Sequence, residues 1–135
     1  MSSLEELIQK YPEMFPEGFW FECGDGWYNI LSSLLYRINK QEEYVRQNNA
    51  YRVRHGHDPI KYKSVKIVQI KEKFAGLRFY YDGGDDYVRG AVALAEDMSY
   101  KTCEECGDPG TVDGKGWLYR TRCQECRDNA YVDGE

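Results

Sequence analysis

Residues 64–84 read SVKIVQIKEKFAGLRFYYDGG, and this stretch decides the fold class. Its first half sets Val65, Ile67, Val68 and Ile70 among lysines, and its second alternates Leu77, Phe79 and Tyr81 against Arg78 and Tyr80. β-branched and aromatic residues suit a pleated, half-buried surface, and alternation sends successive side chains to opposite faces. The corner between the halves, Lys73 to Gly76, predicts a turn, so the pair reads as an antiparallel hairpin.

Upstream, Trp27, Ile30, Leu31, Leu34, Leu35, Ile38 and Val45 recur at helical spacing, opposite Asn29, Ser33, Arg37, Lys40 and Glu43. This predicts an amphipathic helix capped by Asp25 or Gly26 and fraying near Asn48 and Asn49, before a polar connector over 51–63. A short helix is expected at Ser3–Lys10, with Ser3 as cap and Glu6 three residues on, ending before Pro12. Between the two, FPEGFWFECGDGWY (15–28) reads as a strand or packed loop. Downstream, Val88, Ala91, Leu94, Ala95 and Met98 predict a buried stripe on a second helix, Asp86 to Tyr100, capped by Asp85 or Asp86. The expected class is α+β: two main helices packed on a small antiparallel hairpin, with a C-terminal zinc ribbon. Residues 1–135 are expected to form a single domain, with 101–127 as its integral ribbon.

The ribbon rests on Cys103, Cys106, Cys123 and Cys126, two C-x2-C pairs separated by sixteen residues. Two residues between cysteines let both sulfurs of one tight turn face one ion, and two such turns complete a tetrahedron. Gly107 relieves crowding after the first pair, Asp108-Pro109-Gly110 supplies a turn, and Thr111-Val112 is expected to pair with Trp117-Leu118-Tyr119 across Asp113–Gly116. The predicted cofactor is one structural zinc ion, because four thiolates leave no position for an activated water. Trp117 and Leu118 are expected to pack the ribbon onto the second helix.

No apolar run reaches the roughly 20 residues that span a bilayer. The opening MSSLEELIQKYPEMF lacks the apolar core of a signal peptide. The expected setting is therefore a reducing cytoplasm, where paired cysteines favour metal over disulfide. The net charge of −5 is unevenly spread. Residues 37–78 carry eleven bases against four acids, between two acidic ends. Either the ends neutralise the middle within the fold, or the middle meets a charged partner.

Other groups are weaker. His55-Gly56-His57-Asp58 has ligand potential but sits in the polar connector, and reads as a solvated loop. Cys23 reads as a buried structural cysteine, and Asp82, Asp85 and Asp86 as turn and cap residues. Arg52, Arg54, Lys61 and Lys63, with Arg46 and interleaved tyrosines, form a candidate surface for a partner or nucleic acid. The low isoelectric point and the acidic ends count against a phosphate backbone.

Taken together, GWYNIL (26–31), VKIVQIKEKFAGLRFYY (65–81), AEDMSYKTCEECGDPG (95–110) and GWLYRTRCQEC (116–126) resemble a family of small tailed-bacteriophage and prophage proteins with no assigned activity. The likeness runs from about Gly26 to Cys126, with Ala75 where the family pattern implies glycine and a longer 46–63 segment. It implies a phage accessory protein in the cytoplasm of a bacterial host, with no mechanism attached. The expected function is non-enzymatic: binding of a host macromolecule, a protein first, as in inhibition of a host defence system. The alternatives are a nucleic-acid-binding zinc ribbon and a small metal-dependent enzyme using His55 and His57.

Overall fold

A computed structural model describes residues 3–115 and 118–133 of the chain. In order, the elements are α1 (Glu5–Lys10), a 3₁₀ turn (Asp25–Trp27), α2 (Tyr28–Arg54), β1 (Lys66–Lys73), β2 (Gly76–Asp82), α3 (Asp86–Ser99), β3 (Thr111–Lys115), β4 (Leu118–Arg122) and α4 (Gln124–Asp133). The class is α+β, with two long helices, two small antiparallel sheets and a cysteine cluster near the C-terminus.

β1 and β2 pair antiparallel from Lys73↔Gly76 to Lys66↔Asp82. Phe74 and Ala75 form the two-residue turn at φ 53 and 73. Both angles are left-handed, as a hairpin turn matched to the strand twist requires. The register shifts between Ile67 and Gln69, and this bulge leaves Val68 exposed. One face of the hairpin buries Ile67, Ile70, Leu77 and Phe79 in a core shared with Ile30, Leu31, Leu34, Leu35 and Ile38 of α2 and with Val88, Val92 and Ala95 of α3. Leu4, Leu7, Met14 and Phe15 close the same core from the N-terminal segment.

A two-stranded sheet exposes two unpaired edges, and here both are covered. On β2, Phe79 N donates to Glu96 Oε2 (2.9 Å) and Leu77 N to Ser99 Oγ (2.9 Å). On β1, Ile67 N donates to Met14 O (2.8 Å) and Glu72 N to Glu22 O (3.0 Å), while Ile70 O accepts from Glu22 N (2.9 Å).

Several expectations shift. α3 buries Val88, Val92, Ala95 and Ser99, leaving Leu94 and Met98 exposed. The helix is rotated so that Glu96 and Ser99 reach the β2 edge, and hydrogen-bond demand there outweighs the apolar stripe. Leu94 and Met98 instead line an open groove of about 300 Å³ against Ile30, Leu34 and Arg37. α2 runs past Asn48 and Asn49 to Arg54, through the first four residues of the expected connector. α1 starts at Glu5 without a side-chain cap, and Ser3 contributes its carbonyl to Glu6 N instead (3.2 Å). Neither Asp25 nor Gly26 caps α2 through a side chain; Asp25 Oδ1 accepts from Leu4 N (3.2 Å). Asp113 to Lys115 belong to β3 rather than to a turn.

Candidate metal centre

The four cysteines lie on two separate pieces of backbone. Cys103 and Cys106 form a loop after α3, closed by Gly107 N donating to Cys103 O (2.9 Å) and Cys103 N to Asp108 O (2.7 Å). Gly107 takes φ 87, where a side chain is disfavoured. Cys123 and Cys126 form the entry to α4, where Cys126 N points at Cys123 Sγ (3.4 Å) and Arg127 N bonds Cys123 O (3.1 Å). The second C-x2-C is thus a helix start, whose free N–H groups favour negative sulfur. The β3–β4 hairpin carries the chain between the two, in the register Thr111↔Arg122 to Lys115↔Leu118.

All four Sγ atoms lie within 4.8 Å of one another, and Cys106 and Cys123 are 3.6 Å apart. A tetrahedron with metal–sulfur bonds of about 2.3 Å has edges of about 3.8 Å, so the set fits one ion with little movement. Cys103 is buried, Cys123 and Cys126 are half-buried and Cys106 is exposed. Burial pushes the Cys103 thiol up, but the N–H groups of Cys123, Cys106 and Glu105 outweigh it and bring it down to about 7. At Cys106 the Asp108 N–H pulls down, yet burial and the neighbouring Cys103 and Cys123 sulfurs carry the thiol up to about 11. Cys126 is also pushed up, by burial and the sulfurs of Cys123, Cys103 and Cys106. The Cys103 thiolate forms readily while Cys106 and Cys126 resist ionising, the situation a bound cation resolves.

The first cysteine loop is held by residues that the sequence reading left unused. Gly26 N donates to Glu104 O (2.7 Å), Gly24 N to Glu104 Oε2 (2.9 Å) and Trp27 Nε1 to Thr102 O (3.0 Å). A Cβ on Gly26 would collide with the backbone of Cys103 and Glu104, so only glycine fits there. From the ribbon, Glu104 N bonds Thr121 O (3.0 Å), and the buried Thr121 donates Oγ1 to Ala75 O (2.8 Å). Arg120 pairs with Glu72 at 3.1 Å. The cysteine loop therefore shares backbone hydrogen bonds with the 24–27 turn and with β4, and β4 is tied in turn to the β1–β2 turn through Thr121 Oγ1. Two glycines flanking Asp25 before an indole were the legible signal for this. The expected packing of Trp117 and Leu118 on the second helix falls on side chains that lie outside the described residues.

The remaining candidates do not converge. Among the described residues, the four cysteines are the one group of metal-ligating side chains close enough to share an ion. His55 stacks on Tyr51 with ring centroids 3.9 Å apart, and its Nδ1 lies 2.8 Å from Tyr51 O. Arg52, Arg54, Lys61 and Lys63 share the helix end and return loop, with no ion pair among the described residues, and Arg52 Nε donates to Asp58 O (2.8 Å). Asp85 caps α3, its Oδ1 accepting from Val88 N (3.1 Å), while Asp86 pairs with Arg89 on the surface. Cys23 is half-buried, outside the cluster, and burial followed by the charges of Glu104, Asp25 and Glu72 pushes its thiol up to about 12. No helix among the described residues is long and apolar enough to cross a membrane. No family model, curated protein or solved structure matches this chain.

Proposed function

We propose that the cysteine site holds one structural zinc ion, and that the protein is a non-enzymatic binding module for a partner protein. Zinc suits an all-thiolate tetrahedral set, and the four sulfurs occupy every position that a nucleophilic water would need. The ion then serves folding, by joining the loop after α3 to the start of α4.

Trp20 is the observation that carries the binding role. Its neighbours Phe19 and Phe21 are packed, in a cluster of edge-to-face and tilted rings with Phe15 at centroid distances of 5.0 to 5.8 Å, while Trp20 is left 70 % exposed. Glu22 fastens the following backbone to Ile70 and Glu72. A large amphipathic ring held ready on an ordered backbone, beside the exposed Val68, is the form that interface anchors take. In the bacteriophage setting that the resemblance implies, the partner is a protein in the bacterial cytoplasm, and holding it blocks a host defence or redirects a host enzyme.

The test is affinity capture from bacterial lysate with wild type and Trp20→Ala in parallel. A partner retained by wild type and weakened at least tenfold by the variant, with metal content and melting unchanged, is the expected result. Equal retention by both proteins would overturn the assignment of Trp20.

A further inference from the structure

The buried residues of α2 end at Ile38, yet the helix continues to Arg54. Those last sixteen residues extend about 24 Å beyond the core at 1.5 Å per residue. The chain then folds back along the helix. Asn49 makes reciprocal bonds to Ile60 (Nδ2 to O, 2.9 Å; Ile60 N to Oδ1, 2.7 Å), and His57 N donates to Arg52 O (2.8 Å). Near the base, Tyr62 Oη and Val65 N both donate to Glu42 Oε2 at 2.8 Å. The result is an ordered arm spanning 44–63.

Its charge is opposite to that of the body. The arm holds five bases and one acid, while the rest of the chain holds thirteen bases and twenty-two acids. Arg46 lies at the base, lining a cavity with Glu13 and Glu42, and Lys63 is exposed nearby, its carbonyl accepting from Gly84 N (2.8 Å); Arg54 and Lys61 are exposed farther out. The acidic body was the reason to expect repulsion of a phosphate backbone. That repulsion decays over about 8–10 Å at moderate salt; Arg46 still faces the body, and the eight helical residues after it carry the tip about 12 Å farther, past that range.

Tyr44 and Tyr51 lie seven residues apart on one helix face, 60 % and 52 % exposed. Exposed rings beside unpaired cations are how a protein tracks a single strand, stacking bases and neutralising phosphates. A duplex fits less well. A bare helix of about 10–12 Å already fills a major groove about 12 Å wide, and this helix carries a return segment along its side.

We propose that the arm docks single-stranded nucleic acid, with Arg52, Arg54, Lys61 and Lys63 on phosphates and Tyr44 as the stacking platform, Tyr51 having one ring face covered by His55. This surface is separate from Trp20, so the two assignments stand or fall independently. The test is fluorescence anisotropy with a short labelled single strand across a salt series, using the whole metal-loaded protein. Four phosphate contacts predict a log K against log salt slope of about −2.8. Arg54→Gln/Lys61→Gln/Lys63→Gln spares Arg52, whose Nε holds the loop, and should flatten the slope to about −0.7. Tyr44→Ala should weaken binding about fivefold or more at unchanged slope. Unchanged melting and metal content show that each variant remains folded. A single-strand affinity that ignores salt or the triple variant, an equal or tighter duplex affinity, or binding confined to phosphatidylserine vesicles would each overturn the proposal.

Discussion

Ala75 sits at φ 73 with its methyl group fully buried, in a position where glycine is the natural choice. The left-handed backbone costs a non-glycine residue about 1–2 kcal/mol. Replacing it with glycine removes that strain but frees the unfolded chain by about 0.4–1 kcal/mol and loses about 0.8 kcal/mol of methyl burial. Ala75→Gly should therefore change stability by less than about 1 kcal/mol in urea unfolding, whereas Ala75→Val, β-branched at positive φ, should cost more than about 2 kcal/mol. Gly26 tolerates no such exchange. Its Cβ would meet backbone of the metal loop, which cannot move aside, so Gly26→Ala should cost about 3 kcal/mol and weaken metal retention. A smaller loss would mean that the 24–27 turn is looser than described. Cys23 tests local electrostatics. With its thiol pushed up to about 12 from an ordinary 9.0, alkylation at pH 8 should run about a thousandfold slower than for a free thiol. Because the fold favours the protonated form, that contribution is complete below about pH 9 and is lost as the pH rises toward 12.

At the scale of elements, the hairpin, both long helices and the paired cysteine loops were legible because each has a local signature. Period-two alternation, period-3.6 recurrence and C-x2-C spacing need no knowledge of neighbours. What stayed hidden depends on partners. The rotation of α3 follows from two hydrogen bonds to the β2 edge, and nothing in its own stripe announces that Glu96 and Ser99 outrank Leu94 and Met98. Likewise α4 starts inside the second cysteine pair, where the metal motif masked a helix start. Thr121 shows how the ribbon is joined to the body: a buried hydroxyl bonds a turn carbonyl 46 positions earlier. Thr121→Val keeps the shape and removes that bond, leaving Ala75 O short of a partner, and should cost about 1–3 kcal/mol. If thermal melting of this variant matches wild type, the ribbon contributes no stability through that contact.

Across the whole molecule, the metal loop bonds the 24–27 turn and β4, and β4 bonds the β1–β2 turn, so ion and core should unfold together. Cys106→Ser, or removal of the ion by a chelator, is expected to lower the single melting transition of the entire protein. A lobe that melted separately would leave the main transition in place. The most direct measurement is X-ray absorption at the zinc edge on protein purified without added metal. The account predicts one zinc per chain, bound by four sulfurs at about 2.3 Å. Absence of zinc, or a shell in which nitrogen or oxygen replaces any of the four sulfurs, would contradict it.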